Sequence, residues 1–253
     1  MKNVTGDKYR VFISPALGCE SSCTYCYLPD LGLITGSQVA DIASKDDLIE
    51  QATQIDGFTT GVFGTIISLG CYTEAWSPRL KPVTISCISH FLDLGNPVQV
   101  ATKQVVSNED VQQLFGHIRW RGQLSFYISC PSISYWHDLE KNVPSPTKRL
   151  EALEFQRELD IPFYLYIKPY IHHTTDKDLT LFAKVMGDYN VGAIVGAAFC
   201  TERTKDAASV GGGRLFLDAS SNLLRFTDSL RERGGTVLTT SVNAVEMWRL
   251  KLT

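Results

Sequence analysis

The stretch of sequence that decides the fold is YRVFISPALGCESSCTYCY, which runs from Tyr9 to Tyr27. Its first six residues are rich in apolar and aromatic side chains, as expected of a buried β-strand. Three cysteines follow at once, Cys19, Cys23 and Cys26, with the spacing C-x3-C-x2-C. The stretch therefore predicts a strand whose carboxyl end carries a short loop with three thiols.

This set of cysteines predicts a [4Fe–4S] cluster. Thiolates are soft ligands that suit iron–sulfur clusters, and four of them usually complete the ligand set. No fourth cysteine lies near the three in the sequence, so one iron would keep an open site for a substrate or cofactor.

Other roles for the three cysteines account for their number and spacing less well than a cluster does. A structural zinc site usually has four ligands in paired spacings, and no second C-x2-C pair or His pair follows. A disulfide framework needs a secreted context, and the seven cysteines of the chain are an odd number. Lipoprotein modification at Cys19 would leave Cys23 and Cys26 without a role, and the apolar run before it is short for an export signal.

The bulk composition predicts an ordinary globular protein. The chain has 253 residues, enough for one domain of barrel size, with 44% hydrophobic and 20% charged residues. No stretch approaches the ~20 apolar residues that cross a bilayer, so we expect no membrane association. A net charge of -3 argues weakly against a dedicated nucleic-acid surface. Reduced thiols and an oxygen-labile cluster predict a cytoplasmic location.

Short β-like runs alternate with helical patterns along the chain, which is typical of βα units around a parallel sheet. The predicted strands cover residues 9–14, 65–69, 98–102, 123–129, 163–168, 193–198 and 236–240. The predicted helices cover residues 45–55, 83–94, 108–118, 146–159, 176–188 and 220–233, followed by a short terminal helix. Ser107 is placed to cap the third helix, and the Ser145-Pro146 pair begins the fourth.

These six or seven units are too few for a closed eight-stranded barrel. We therefore expect an α/β fold, a partial (β/α)6-type open TIM barrel over residues 1–200, with a C-terminal extension of loop, helix and strand over residues 201–253. Functional groups would lie at the carboxyl ends of the strands, where the cysteine loop also lies. A doubly wound parallel sheet is the alternative, but no Gly-rich phosphate loop follows any strand.

The cysteine motif, with Tyr25 just before its third cysteine, resembles the signature of the radical S-adenosylmethionine (SAM) superfamily. Further segments between residues 9 and 173 resemble the spore photoproduct lyase-like branch of that superfamily. They are LGCYTE at 69–74, VATK at 100–103, FYIS at 126–129, PSPTKRLEA at 144–152 and YIKPYIH at 166–172. The tail after residue 198 resembles no part of that branch.

The resemblance implies a SAM cofactor bound at the open iron, and a reduced cluster that cleaves it to a 5′-deoxyadenosyl radical. Lys103 would bind the SAM carboxylate, and Thr73 with Glu74 would bind its ammonium. The remaining cofactor-binding residues implied are Tyr25 at the adenine, Gly70 in the turn before Thr73, and Ser129 at the ribose or carboxylate.

Each of these residues also has an ordinary structural alternative. Lys103 can be a solvated surface lysine, and Glu74 can simply pair with Arg79 on a loop. Ser129 can satisfy local backbone groups. The charged residues Glu202, Arg203 and Lys205, ahead of the glycine run at 211–213, form either a solvated loop or a mobile substrate lid.

Cys71 is the candidate catalytic residue, because the repair lyase uses a hydrogen-donor cysteine close to this strand end. Free cysteine is otherwise often a small buried apolar residue. The sequence thus predicts a radical SAM enzyme acting on a small-molecule, nucleotide or peptide substrate in a biosynthetic step, with electrons from a reductase such as flavodoxin or ferredoxin. A lyase for DNA lesions is one alternative, in which nucleic acid is the partner. A non-catalytic iron–sulfur binding or electron-transfer protein is another.

Overall fold

The computed structural model describes residues 1–39, 41–197, 199–200, 208–210, 215–217 and 221–251. Its strands are β1 Val4–Gly6, β2 Arg10–Ile13, β3 Ser22–Cys23, β4 Ile66–Leu69, β5 Val98–Thr102, β6 Leu124–Ser129, β7 Glu140–Lys141, β8 Phe163–Ile167, β9 Gly192–Val195, β10 Phe199–Cys200, β11 Ala208–Val210, β12 Leu215–Leu217 and β13 Val237–Leu238. Its helices are α1 Lys45–Thr53, α2 Lys81–Asp93, α3 Asn108–Phe115, α4 Trp136–Leu139, α5 Pro146–Leu150, α6 Phe155–Leu159, α7 Leu179–Tyr189, α8 Ser221–Glu232 and α9 Ser241–Leu250. Short 3-10 turns cover Pro29–Leu31, Glu151–Glu154 and Thr175–Asp178.

One large sheet organises the chain, with the strand order β1-β2-β4-β5-β6-β8-β9-β13. All neighbours from β2 to β13 are parallel, and β1 pairs antiparallel with β2. The order follows the chain without the reversal that defines a doubly wound sheet. In the described part of the chain β1 and β13 do not pair, so the sheet stays open. The predicted partial barrel is therefore confirmed.

The two faces of the sheet are covered differently. Side chains such as Ile67, Val100 and Phe126 point to the helices and form the main apolar core with them. Alternate positions line the concave face, where Tyr127 and Tyr164 stack with ring centroids 5.3 Å apart. Parallel strands that are buried on both faces read as near-continuous apolar runs, which is why these strands were visible in the sequence.

The segment after residue 220 adds a strand and a helix to the partial barrel. Its strand β13 pairs with β9 as a seventh parallel strand. The helix α9 then covers the amino-terminal end of the barrel, where Arg249 donates to the carbonyls of Val62 and Gly64 at 2.8 and 2.6 Å. At its other end, the carbonyl of Ser241 accepts a 2.6 Å hydrogen bond from Gln99 Nε2 inside the lumen. The proposed domain boundary at residue 200 stays a prediction.

The predicted helices and strands match observed ones to within a few residues, except at one place. Residues 146–159 are not one helix, because a 3-10 turn separates α5 from α6. This turn lets Leu150 and Leu153 both face the core. Ser107 caps α3 as predicted, in a reciprocal capping box with Asp110. The predicted lid, with Glu202 and the glycines at 211–213, lies outside the described residues. Within the described ranges, no helix is both long and apolar enough to cross a membrane.

Candidate cluster and cofactor site

Backbone hydrogen bonds hold the cysteine loop in place at both of its ends, beyond the carboxyl end of β2. The amide of Cys19 donates to the carbonyl of Ile34 at 3.0 Å, and Gly18 adopts a φ of 110° beside it. A Cβ at Gly18 would lie 2.7 Å from the Ile34 carbonyl oxygen, so this close approach requires glycine. On the other side β3 pairs antiparallel with β7, which places Cys23 opposite Glu140.

The three thiols share one electrostatic environment. Cys19, Cys23 and Cys26 are all partly exposed, and burial raises the pKa of each, to about 11 for Cys23. Lys103 acts on all three in the opposite direction, favouring their thiolates. Among the described residues, no three His, Cys, Asp or Glu side chains converge as a single metal ion would require. The three thiols remain soft donors of the type that iron–sulfur clusters bind, and the predicted [4Fe–4S] cluster stays a prediction.

Lys103 lies in the site and is not a solvated surface lysine. Burial lowers the pKa of its ammonium group, but the nearby Cys23, Glu140 and Glu74 outweigh burial and raise the pKa overall. Its Nζ lies 5.8 Å from the centre of the Tyr25 ring. Within the described ranges no carboxylate oxygen comes within 4.0 Å of this nitrogen. Lys103 is therefore a charged donor available to an anionic ligand.

Thr73 and Glu74 follow β4 and are both buried. Glu74 does not pair with Arg79, which instead contacts Glu20 at 3.2 Å, so that structural alternative is wrong. Its Oε1 accepts a 2.6 Å bond from Thr102 Oγ1, and its Oε2 accepts a 2.8 Å bond from the amide of Lys103.

The carboxylate of Glu74 thus joins the ends of β4 and β5. Next to it, the buried hydroxyl of Thr73 has no hydrogen-bond partner among the described residues. A buried hydroxyl without a partner is costly, so the hydroxyl of Thr73 is a polar atom that a ligand can satisfy.

Gly70 and Cys71 form the turn between β4 and this carboxylate. Gly70 has a φ of 96°, and a Cβ there would lie 2.5 Å from the carbonyl oxygen of Ala101. Only glycine fits this turn without strain. Cys71 is partly exposed, and burial raises the pKa of its thiol. The hydroxyl of Tyr27 donates to the carbonyl of Cys71 and lies 3.7 Å from its Sγ.

A buried network that the sequence did not predict connects the loop to β6. Arg149 donates to Glu140 Oε2 at 2.7 Å and to the carbonyl of Ser129 at 2.8 Å, and neither charged side chain is exposed to solvent (0% each). The hydroxyl of Tyr25 donates to the other oxygen of Glu140. The one sequence signal for Arg149 was that it lies in the segment PSPTKRLEA, which resembles the spore photoproduct lyase-like branch. The network uses the backbone carbonyl of Ser129, so the predicted role of the Ser129 side chain at the ribose or carboxylate stays a prediction.

A cavity of about 410 Å³ lies beside the cysteine loop. It is lined by Glu20 and Ser21 from the loop, and by Ser77, Arg79 and Asn142 among others. Of the predicted cofactor residues it reaches Glu74 alone. The other predicted cofactor residues do not line it. The cavity therefore adjoins the site and does not coincide with it.

The two histidines after β8 lie apart from the cysteine loop. His172 Nδ1 is 3.0 Å from Asp176 Oδ2 and 3.2 Å from the hydroxyl of Tyr170. Its other nitrogen is 3.1 Å from Asn222 in α8. This cluster ties the β8 loop to α8, and a structural role explains its contacts.

Comparison with solved structures finds proteins of the same fold. One is a double mutant of spore photoproduct lyase with bound AdoMet and dinucleoside spore photoproduct; the TM-score is 0.62 and the identity 16%, over 91% of this chain and 76% of the lyase. Another is Streptococcus suis SuiB bound to S-adenosylmethionine, with a TM-score of 0.59 and 12% identity over 93% of this chain and 51% of SuiB. This chain thus spans about half the length of SuiB. No family model and no curated protein matches the sequence.

At these identities the likeness shows the fold. That fold is the one implied by the resemblance of the sequence to the spore photoproduct lyase-like branch, and it extends to most of the chain. The segments quoted from the sequence end at residue 173, so the shared fold continues well beyond them.

Proposed function

We propose that this chain is a radical SAM enzyme. The observation that carries the proposal is the loop of Cys19, Cys23 and Cys26 at the carboxyl end of β2, with Lys103 as the cation common to all three thiols. A parallel open barrel gathers catalytic groups at this same end of its strands. The similarity of fold to spore photoproduct lyase and SuiB, both solved with the cofactor bound, supports the proposal.

The residues present fit a [4Fe–4S] cluster and SAM. The three thiols would hold the cluster, Lys103 would bind the SAM carboxylate, and Thr73 with Glu74 would accept from its ammonium. When both are bound, the reduced cluster and SAM supply a 5′-deoxyadenosyl radical that can abstract hydrogen from a substrate carbon. The chain itself supplies position, electrostatics and exclusion of water.

The charges around the cofactor residues are matched to an amino acid. Lys103 keeps its proton because the surrounding acidic groups raise its pKa, so it presents a cation. Among the described residues the hydroxyl of Thr73 has no partner. Glu74 accepts from Thr102 and the amide of Trp76 at Oε1 and from the amide of Lys103 at Oε2, so Oε2 keeps a lone pair. A carboxylate and an ammonium on one ligand would therefore each meet a complementary group.

Cys71 is the candidate hydrogen donor. Its thiol stays protonated at neutral pH, because burial raises its pKa. A protonated thiol can donate a hydrogen atom, whereas a thiolate cannot. The hydroxyl of Tyr27 donates to the backbone carbonyl of Cys71 and lies 3.7 Å from its sulfur, so Tyr27 helps to position the thiol.

The substrate would be a small molecule, nucleotide or peptide, and a reductase such as flavodoxin or ferredoxin would supply the electron. A second candidate is repair of a DNA lesion, which the pairing of Cys71 with Tyr27 and the fold of spore photoproduct lyase favour. The two candidate functions differ in how substrate binding depends on salt, because binding to a DNA duplex releases counterions and weakens steeply as the salt concentration rises.

The test is anaerobic reconstitution with iron and sulfide, followed by measurement of bound iron, bound sulfide and the electron paramagnetic resonance spectrum after reduction. The expected result is about four irons per chain, as a four-iron cluster requires, and a spectrum that changes when SAM is added. Cys23→Ala should lose the cluster, whereas the matched variant Cys71→Ala, outside the loop, should keep it. A native chain that holds no iron, or whose spectrum ignores SAM, would refute the proposal.

A further inference from the structure

A cation lies at the floor of the barrel lumen. Arg10, at the start of β2, points into the concave side, where its Nε donates to Ser68 Oγ at 2.7 Å and its Nη2 donates to Ser241 Oγ at 3.0 Å. Its guanidinium also lies 4.7 Å from the ring centre of Phe12. All of these partners are neutral. Within the described part of the chain, the remaining nitrogen, Nη1, donates to no protein acceptor.

Among the described residues Arg10 has no ion pair with an acidic side chain. Burial lowers its pKa, and Tyr166, Tyr127 and Cys71 act in the opposite direction. Each of those would help only if ionised, and burial raises the pKa of both Tyr127 and Cys71, so both are neutral at neutral pH. Arginine is protonated in proteins at all ordinary pH values. The guanidinium is therefore a half-buried positive charge whose hydrogen-bond partners among the described residues are neutral.

The surroundings add positive rather than negative charge. Ser241 begins the ten-residue helix α9, whose amino end carries partial positive charge and faces the same guanidinium. Lys168, at the end of β8, lies close enough to Cys71 to lower the pKa of that thiol. A buried charge usually needs a partner of opposite sign, because transfer from water costs several kcal/mol. Such a lumen suits a ligand that brings its own negative charge.

Arg10 and the residues around it keep contact with solvent. Arg10, Phe12, Cys71 and Tyr166 are each partly exposed, although all lie on the concave side or at its rim. Cys71 is close enough to Arg10 for the two groups to influence each other electrostatically. A substrate whose carbon reaches Cys71 can therefore place a charged group near Arg10.

We propose that the substrate carries an oxyanion, a phosphate or a carboxylate, which binds Arg10 at the floor of the lumen below Cys71. This inference rests on the proposed function in one respect, that the lumen is the substrate site. The oxyanion would accept from Nη1 of Arg10, which no protein acceptor occupies, and would neutralise the guanidinium. Arg10 is thus the residue that selects anionic substrates over neutral ones.

The direct test is titration of the reconstituted full chain with inorganic phosphate, followed by ³¹P line broadening, and with acetate, followed by proton saturation transfer. Wild-type protein is expected to bind at least one probe, and the tighter one assigns the oxyanion. Arg10→Gln should weaken that binding about tenfold or more, because a charge-assisted hydrogen bond is lost. Arg10→Lys should retain part of it.

The matched control is Arg121→Gln, which removes an exposed arginine paired with Asp160 at 2.8 Å. It should leave probe binding unchanged. Three results would overturn the proposal: neither probe binds, binding survives Arg10→Gln, or Arg121→Gln weakens binding as much as Arg10→Gln does.

A second measurement on wild-type protein keeps the test valid if Arg10→Gln does not fold. Alkylation of Cys71 is followed by peptide mass spectrometry, using anionic iodoacetate and neutral iodoacetamide. The ratio of the iodoacetate rate to the iodoacetamide rate should be several-fold higher at Cys71 than for free glutathione. Bound phosphate or acetate should abolish that preference. A ratio equal to or below that of glutathione would contradict the proposal.

Neither measurement depends on SAM cleavage. Binding that depends on Arg10 in a protein that never cleaves SAM would refute the proposed function alone. Cleavage of SAM without anion binding would refute this inference alone.

Discussion

Replacing Arg149 by methionine should destabilise the chain strongly. The change removes a positive charge whose side chain is 0% exposed, together with its 2.7 Å bond to Glu140 and its 2.8 Å bond to the Ser129 carbonyl. It leaves the carboxylate of Glu140 buried without its ion-pair partner; among the described residues it keeps the hydroxyl of Tyr25 as a side-chain hydrogen-bond donor and the more distant charge of Lys103. Loss of one partner from a buried ion pair costs about 3–5 kcal/mol.

That loss should be visible as a fall in the midpoint of denaturant unfolding. For a chain of this size, 1 kcal/mol shifts the melting temperature by roughly 2–4 °C, so thermal unfolding should fall by about 6–20 °C. The double variant Glu140→Gln/Arg149→Met should recover part of the loss, because no charge is left buried. Measurements on the chain without iron separate this effect from cluster binding.

The control is Arg121→Met, which removes an exposed ion pair and should change the free energy of unfolding by less than about 0.5 kcal/mol. The reasoning fails if Arg149→Met lowers the free energy of unfolding by less than about 1 kcal/mol. It also fails if the double variant is no more stable than Arg149→Met alone.

Three further predictions concern single residues. Gly70→Ala should cost about 2 kcal/mol or more in the free energy of unfolding, because an alanine at a φ of 96° is strained and its Cβ would meet the Ala101 carbonyl; thermal unfolding checks this, and an unchanged melting temperature would contradict it. Thr73→Val should leave stability unchanged or raise it, since it deletes a buried hydroxyl without a partner, yet weaken SAM binding in equilibrium dialysis; unaltered SAM affinity would remove Thr73 from the cofactor site. Asp178→Asn should cost about 1–3 kcal/mol at pH 7, because Oδ2 accepts bonds from Ser132 and the amides of Ile133 and Ser134. Burial raises the pKa of Asp178, but these hydrogen bonds outweigh burial and lower the pKa overall. The stability that the Asp178 carboxylate provides is therefore fully present above pH ~3.9, its pKa in the unfolded chain, and is lost as pH falls through the lower pKa of the folded chain. A difference in the free energy of unfolding between the two proteins that stays constant down to pH 2 would contradict this.

The sequence predicted the sheet well, because its strands are buried on both faces. A strand such as β5 reads as a run of apolar residues with few interruptions, and its predicted bounds match the observed Val98–Thr102. The cysteine loop was equally visible, since three thiols at fixed spacing on a short loop must lie together. Its location at the carboxyl end of the barrel then follows from the first strand alone.

The contacts between distant segments were not predictable in the same way. The pairing of β3 with β7 brings Glu140 beside Cys23 across more than a hundred residues, and nothing in either short strand announces it. Arg149 stood in a recognisable segment, but its burial against Glu140 depends on that pairing. Arg10 likewise looks like an ordinary charged residue at a strand end until α9 closes over it. Such contacts depend on how the whole chain is folded.

Formation of 5′-deoxyadenosine tests the central claim most directly. The reconstituted chain is reduced anaerobically, given SAM, and compared by chromatography with Cys23→Ala prepared in the same way. We expect slow formation of 5′-deoxyadenosine by the native chain and none by the variant. A native chain that holds its cluster and forms no 5′-deoxyadenosine would contradict the account, and would favour the iron–sulfur binding or electron-transfer alternative.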